Sequence, residues 1–191
     1  MKKNLIYLID FDGTIIKGDS LIHFSYFSLG IYRFIKFWMY TILLLPFYSK
    51  TRLKQNFYLN FKDSNQNEFN SLCLDFYKQK LNKLIMKSFV DFKKNIHKNS
   101  RVVVVSASIS NYLKPWCDEM GFDLISTELE VIDGKLTGKF STPNCNGKEK
   151  VRRIKEKYNL KEYDEVHVFG NSKGDFPMLE LGTHKYYKFF K

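Results

Sequence analysis

Two carboxylates, Asp10 and Asp12, stand at the end of an apolar run from Leu5 to Ile9 and are followed by Gly13 and Thr14. The run reads as a buried strand, so both acids sit just past a strand end. Residues two apart on a strand share a face. One such carboxylate can attack while its neighbour handles protons. A phosphate ester with a bound divalent cation is a natural substrate for that pair. Taken alone, Asp-Gly-Thr also reads as a simple turn, and Asp12 as a helix cap.

The elements that must position these acids follow from periodicity. Val102-Val103-Val104-Val105 is a β-branched run that suits a parallel strand buried on both faces, and it ends at Ser106. Val166-His167-Val168-Phe169 is another strand and runs into Gly170-Asn171-Ser172. Between the first strand and Val102, over residues 20–98, apolar residues recur at helical spacing, as in Leu21, Phe24 and Phe27 or Phe69, Leu72 and Phe76. Helical signals return over 110–120. Leu129 to Phe140 reads as a β-hairpin turning at Asp133-Gly134. Gly147 to Tyr158 is a basic helix, Pro177 sits where a helix starts, and His184 to Phe189 is a short last strand. Strands alternating with helices argue for a parallel α/β sheet. The long helical block is too long for one crossover and is expected as an inserted cap. Ligands of such sheets bind at the carboxyl ends of the strands, where Asp10, Ser106 and Gly170-Asn171 all fall.

The chain has 191 residues, 44% hydrophobic, and a net charge of +11. That length supports one core with a small appended unit. The charge suits an anionic substrate or surface, and equally a solvated basic exterior. A single-stranded nucleic-acid binder would use the same charge with aromatic platforms, but no recognised module is present and no nucleic-acid partner is expected. Cys73, Cys117 and Cys145 form no CxxC pair, which points away from a cysteine zinc site or a disulfide framework and toward a reducing compartment. The apolar run after the basic start ends at Asp10, so no secretory signal is read and a cytoplasmic location is expected.

The chain resembles the haloacid dehalogenase superfamily, in the branch (subfamily IB) that includes phosphoserine phosphatases. Asp10-Phe11-Asp12-Gly13-Thr14 matches the first motif of that superfamily, Ser106 the second, Lys150 in Cys145-Asn146-Gly147-Lys148-Glu149-Lys150 the third, and Gly170-Asn171-Ser172-Lys173-Gly174-Asp175 the fourth. The resemblance implies a Rossmann-like core over 1–18 and 96–191, with a helical cap over 19–95. It implies Asp10 as nucleophile forming an aspartyl-phosphate and Asp12 as proton donor and acceptor. Ser106 would bond a phosphate oxygen, and Lys150 would neutralise charge, with Lys148 as the alternative. Asp10, Asp12, Asn171 and Asp175 would hold Mg²⁺. Gly13, Thr14, Ala107 and Asp19 are implied around the phosphate and substrate, Asp19 standing where phosphoserine phosphatases keep an acid that reads an amino group. The fourth motif usually carries aspartate where this chain has Asn171, which removes one negative charge from the metal site. A catalytically silent relative and a phosphotransferase are the other readings of the same motifs.

The cap is where this superfamily selects substrates. No acidic residue lies between Asp19 and Asp63, and residues 37–49 carry no charge at all. That run is shorter than the ~20 residues a spanning helix needs. It suits either a buried helix pair broken at Pro46 or a lipid interface flanked by Lys36 and Lys50. A cap insert of this kind is similar to that of the phosphatidylglycerophosphatase C group, which implies a lipid phosphate and an anionic inner membrane surface as the alternative to a small phosphorylated alcohol, amino alcohol or sugar. No cap arginine matches the one that reads the phosphoserine carboxylate.

Overall fold

The computed structural model describes residues 3–97 and 100–190. Met1 and Lys2 of the basic start, and Lys98 at the end of the helical block, lie outside the described residues. The strands of the main sheet are β1 (Leu5–Ile9), β2 (Arg101–Ile109), β3 (Asp123–Thr127), β6 (Glu165–Gly170) and β7 (His184–Tyr187). They pair in parallel in the order β3-β2-β1-β6-β7. The first strand is thus central, with Leu8 in register with Val103 on one side and Val168 on the other.

Alternation sorts the strand residues between two apolar layers. Ile6, Leu8, Val103, Val105 and Val168 pack with Ile154 of α6 (Lys148–Lys157) and Met178 of α7 (Phe176–Leu179). Tyr7, Ile9, Val102, Val104 and Phe169 face the other way, toward Phe89 of α4 (Lys87–Lys94) and Trp116 of α5 (Ser110–Met120). This double burial is why the sequence shows unbroken apolar runs rather than alternation. The strand β3 was not evident in the sequence. Asp123-Leu124-Ile125-Ser126-Thr127 is half polar and is separated from β4 (Leu129–Ile132) by a single residue, so the two signals merge. The hairpin of β4 and β5 (Lys135–Phe140) forms as expected, with Asp133 and Gly134 at φ of 49° and 73° in its turn.

The helical block gives α1 (Ser20–Leu44), α2 (Lys50–Tyr58) and α3 (Gln66–Gln79), followed by α4. The chain does break around Pro46, between α1 and α2. A second break, not expected, falls at Gly30, whose φ of 70° and ψ of 169° lie outside the helical region and redirect the outer half of α1. Phe24, Phe57, Phe69 and Phe76 form an aromatic cluster that continues into Tyr112 of α5. Each ring buried in this way contributes about 1.5–3 kcal/mol. Phe92 of α4 packs on Tyr7, Phe169 and Phe190, so this last helix of the block covers the sheet itself. The block is also tied to the hairpin by backbone hydrogen bonds from Asp63 to Leu136, Leu136 to Ser64 and Gln66 to Gly134, at 2.8, 3.0 and 2.9 Å. Cys73, Cys117 and Cys145 are free and buried.

Candidate active site

The loop after β1 is locked from its first residue. The Asp10 amide donates to the Phe169 carbonyl at 3.0 Å, and the amides of Thr14, Ile15 and Ile16 return to the Phe11 carbonyl. The backbone therefore turns tightly and aims both carboxylates at the carboxyl end of the sheet. Gly13 is required in this turn: its φ is 72°, and a Cβ there would lie 1.9 Å from Nδ2 of Asn171. The first and fourth motifs are thus in contact through a position that tolerates no side chain.

Asp10 is buried. Its Oδ1 accepts from Lys150 Nζ at 2.6 Å and its Oδ2 from the Thr14 hydroxyl at 2.9 Å. Lys150, only 1% exposed, also donates to Asp175 Oδ1 at 2.7 Å. One ammonium therefore serves two carboxylates, and the environments push these apart. Burial raises Asp175, but the Lys150 charge and donors on Ser172 outweigh it and hold it below its usual value. Its Oδ2 accepts from the amides of Asn171 and Ser172 and from the Ser172 hydroxyl, at 3.2, 3.0 and 2.8 Å. Asp10 has fewer donors. Burial pushes it up to about 6, despite the opposing pull of Lys150 and with a further push from Asp175. Burial also works against the charge on Lys150, but the two carboxylates outweigh it and hold the lysine above its ordinary range. Lys148 is exposed, one face of α6 away.

Asp12 is held by a different set. Its Oδ1 accepts from the Ser20 amide at 2.6 Å and its Oδ2 from the Ser108 hydroxyl at 2.5 Å. The Ser20 hydroxyl in turn lies 2.8 Å from Ser108 Oγ and 3.1 Å from Tyr112 Oη. Sequence reasoning missed Ser20, Ser108 and Tyr112. The only available signal was that Ser108 follows Ser106 by two residues. The Ser106 Oγ accepts from the Ser108 amide at 3.0 Å, where the β2–β3 register shifts.

A cavity of about 730 Å³ opens over these groups. Asp10, Asp12, Gly13, Asp19, Ala107, Lys150, Asn171 and Asp175 line it, whereas Ser106 and Thr14 lie behind the lining. Asp19 also caps α1 by accepting from the Leu21 amide at 2.8 Å, and burial raises its carboxyl above the usual range. Ile22, Trp38, Leu45 and Leu53 form an apolar wall, all from α1, α2 and the turn between them. Lys54 of α2 is the other residue that sequence reasoning missed. Its Nζ donates to the Ala107 carbonyl at 2.6 Å, and burial lowers its pKa against the opposing charges of Asp12 and Asp19. Nothing in the sequence distinguishes it from its basic neighbours, because the path of α2 depends on the break at Gly30 and the turn at Pro46.

Comparison with known proteins bears on the family and the fold. The sequence profile of the family described as haloacid dehalogenase-like hydrolase matches residues 7–180. Protein CicA of Caulobacter vibrioides is 32% identical over 96 residues, a stretch that covers 49% of this chain and 43% of that protein, so the match spans less than half of either. Among solved structures, a protein with unknown function from Bordetella pertussis Tohama I superposes with a TM-score of 0.84 at 18% identity, covering 95% of this chain and 88% of the other. A phosphoserine phosphatase, solved as a phospho-aspartyl intermediate analogue, superposes with a TM-score of 0.63 at 18% identity, covering 96% and 86%. At these identities the two structures speak to the fold, and the profile match speaks to descent: the chain belongs to the haloacid dehalogenase-like hydrolase family.

Proposed function

We propose that this chain is a Mg²⁺-dependent phosphomonoesterase that works through a phosphorylated Asp10. The observation that carries the reading is the buried Asp10–Lys150–Asp175 group beneath an open cavity, with Asp12 beside it on its own hydrogen-bond scaffold. The donor set fits magnesium. Asp10, Asp12 and Asn171 offer hard oxygen ligands at the cavity floor, and the carboxylates of the lining, Asp10, Asp12, Asp19 and Asp175, outnumber its lysines, Lys50, Lys54 and Lys150. Asp175 accepts four hydrogen bonds, from Lys150, the Asn171 and Ser172 amides and the Ser172 hydroxyl, against two each for Asp10 and Asp12, so this residue is better suited to positioning Lys150 than to direct ligation. Magnesium bound here supplies positive charge that screens the phosphoryl oxygens from the attacking carboxylate.

In the first step an Asp10 oxygen bonds to phosphorus, and the bond from phosphorus to the ester oxygen breaks. Asp12 gives that oxygen its proton, held in place by Ser20 and Ser108. In the second step Asp12 takes a proton from water as the water oxygen bonds to phosphorus, and the bond to Asp10 breaks. Lys150 offsets the charge that accumulates on the phosphoryl group in both steps. The Ser106 Oγ, behind the cavity lining, accepts from the Ser108 amide and so steadies the residue that donates to Asp12.

A small phosphorylated alcohol, amino alcohol or sugar fits a cavity that also presents Asp19 and Lys54. The buried free thiols suit the reducing cytoplasm. Phosphate release from a panel of phosphomonoesters, with and without EDTA, tests the reading. Turnover that survives Asp10→Asn, or an inactive clean protein across the whole panel, would sink it.

A second reading of the substrate has its own observation. The outer part of α1 and the turn after it leave large apolar side chains in solvent, with Tyr32, Leu43 and Phe47 exposed by 88%, 71% and 78%. Monomeric soluble proteins rarely leave such patches uncovered. Arg33, Lys36, Lys50 and Arg52 lie among them. This charge favours an anionic bilayer as the occupant over a second copy of the chain, which would set like charges against each other. Trp38 and Leu45 of the same segment line the cavity, so a lipid phosphate could reach Asp10 from that surface. No helix among the described residues is long and apolar enough to cross a membrane. Sedimentation with vesicles of phosphatidylglycerol and phosphatidylcholine at low salt tests this, and absence of binding would leave the soluble substrate alone.

A further inference from the structure

The geometry points to a zinc-binding site formed by Glu165, His167 and His184, away from the catalytic carboxylates. The inference does not depend on the phosphatase reading. His167 and His184 are register partners on the adjacent parallel strands β6 and β7, so their side chains leave the same face of the sheet. Glu165, two residues before His167 on β6, shares that face. His167 Nε2 lies 3.0 Å from Glu165 Oε2, and His184 Nε2 lies 3.6 Å from the same oxygen. One ligand atom from each of the three residues falls within 4.8 Å of the others. Zinc bonds of about 2.0–2.1 Å at tetrahedral angles put neighbouring ligand atoms about 3.3 Å apart. Two of the three edges are already at that spacing.

The surroundings favour a metal over a simple ion pair. His167 Nδ1 lies 3.2 Å from Tyr186 Oη, the kind of far-side partner that would hold the Nδ1–H tautomer once an ion takes the place of the Nε2 hydrogen bond to Glu165. Two imidazoles and one carboxylate suit zinc, with a fourth position left for water. Three adjustments are needed. The hydrogen between His167 Nε2 and Glu165 Oε2 must give way to the ion. The Lys3 ammonium bonds the other Glu165 oxygen, but its side chain is 68% exposed and free to move into solvent. The two imidazoles stack with 4.5 Å between centroids and 13° between planes, so the half-exposed His184 ring must turn to aim its lone pair at a shared ion. Glu165 begins β6 and Gly170 ends it, which at about 3.3 Å per residue puts His167 and Glu165 roughly 10 and 16 Å from the carboxyl end of the strand.

Calorimetric titration of the full chain with zinc chloride, in excess magnesium, tests the site. The wild type is expected to take up zinc in a step that His184→Ala and Glu165→Gln each weaken by at least about tenfold. Tyr186→Phe is expected to weaken it on the order of tenfold through the tautomer alone. The imidazole proton resonances of His167 and His184 should move together as zinc is added. His184 is at the surface, so circular dichroism of His184→Ala should match wild type and its phosphate release should be unchanged. Zinc uptake that is the same in wild type, His184→Ala and Glu165→Gln, or no uptake by wild type, would overturn the assignment.

Discussion

Asp10→Asn should make the metal-free protein more stable. Native Asp10 titrates at about 6 against an ordinary 3.8, because burial disfavours its charge and Lys150 is shared with Asp175. The native carboxyl therefore holds its proton more tightly than the unfolded one. The stability contributed by its neutral form is complete below about pH 4 and is lost as pH rises through about 6. A gap of roughly two pH units is worth about 3 kcal/mol at pH 8. Asparagine keeps the shape and removes the charge. Its carbonyl can still accept from Lys150, and the Thr14 hydroxyl, now a donor at 2.9 Å, can turn to accept from the new amide. Urea denaturation in EDTA should thus find Asp10→Asn more stable than wild type by up to about 3 kcal/mol at pH 8, or roughly 6–12 °C in Tm. The advantage should shrink toward zero near pH 4. Equal or lower stability of Asp10→Asn at pH 8, with the two pH curves running parallel, would refute the reasoning. Stability given up here is the expected cost of burying a carboxylate charge at the floor of a cavity.

Four further outcomes follow from the same geometry. Lys150→Met leaves Asp10 and Asp175 without their cation, so thermal melts should show a loss of about 3–5 kcal/mol and phosphate release should vanish, whereas Lys148→Met should stay within about 0.5 kcal/mol. Ser108→Ala removes the donor to Asp12 Oδ2; kcat on alkyl phosphates should fall on the order of tenfold or more, and by less on aryl phosphates, whose leaving oxygen needs no proton. Lys54→Met should raise KM for the preferred anionic substrate by roughly tenfold or more while kcat changes little, as steady-state kinetics would show. Gly13→Ala meets both a φ of 72° and the Asn171 amide at 1.9 Å, so it should lose activity and cost at least about 1–2 kcal/mol in denaturant melts.

Residues that act through local chemistry were legible. The Asp10-to-Thr14 stretch declares itself because strand, turn and acids are contiguous, and Lys150 differs from Lys148 in having Ile154 one turn later on the same inward face of α6. The central strands were legible because burial on both faces leaves no polar interruption. What was hidden depends on partners distant in the chain. Ser20, Ser108 and Tyr112 come from three different elements and meet only around Asp12. Lys54 is placed by the Gly30 break, which one glycine in a helical pattern does not announce. Glu165 and His184 meet only through the β6–β7 register.

The backbone ties between the β4–β5 hairpin and the segment around Asp63 to Gln66 bear on the fate of the covalent intermediate proposed at Asp10. A roof that rotated as a rigid body would break that short ladder and split the aromatic cluster it shares with Tyr112. The aperture above Asp10 is then a standing one. In the proposed cycle, an alcohol acceptor would have to compete with solvent in that cavity for each phosphoryl group.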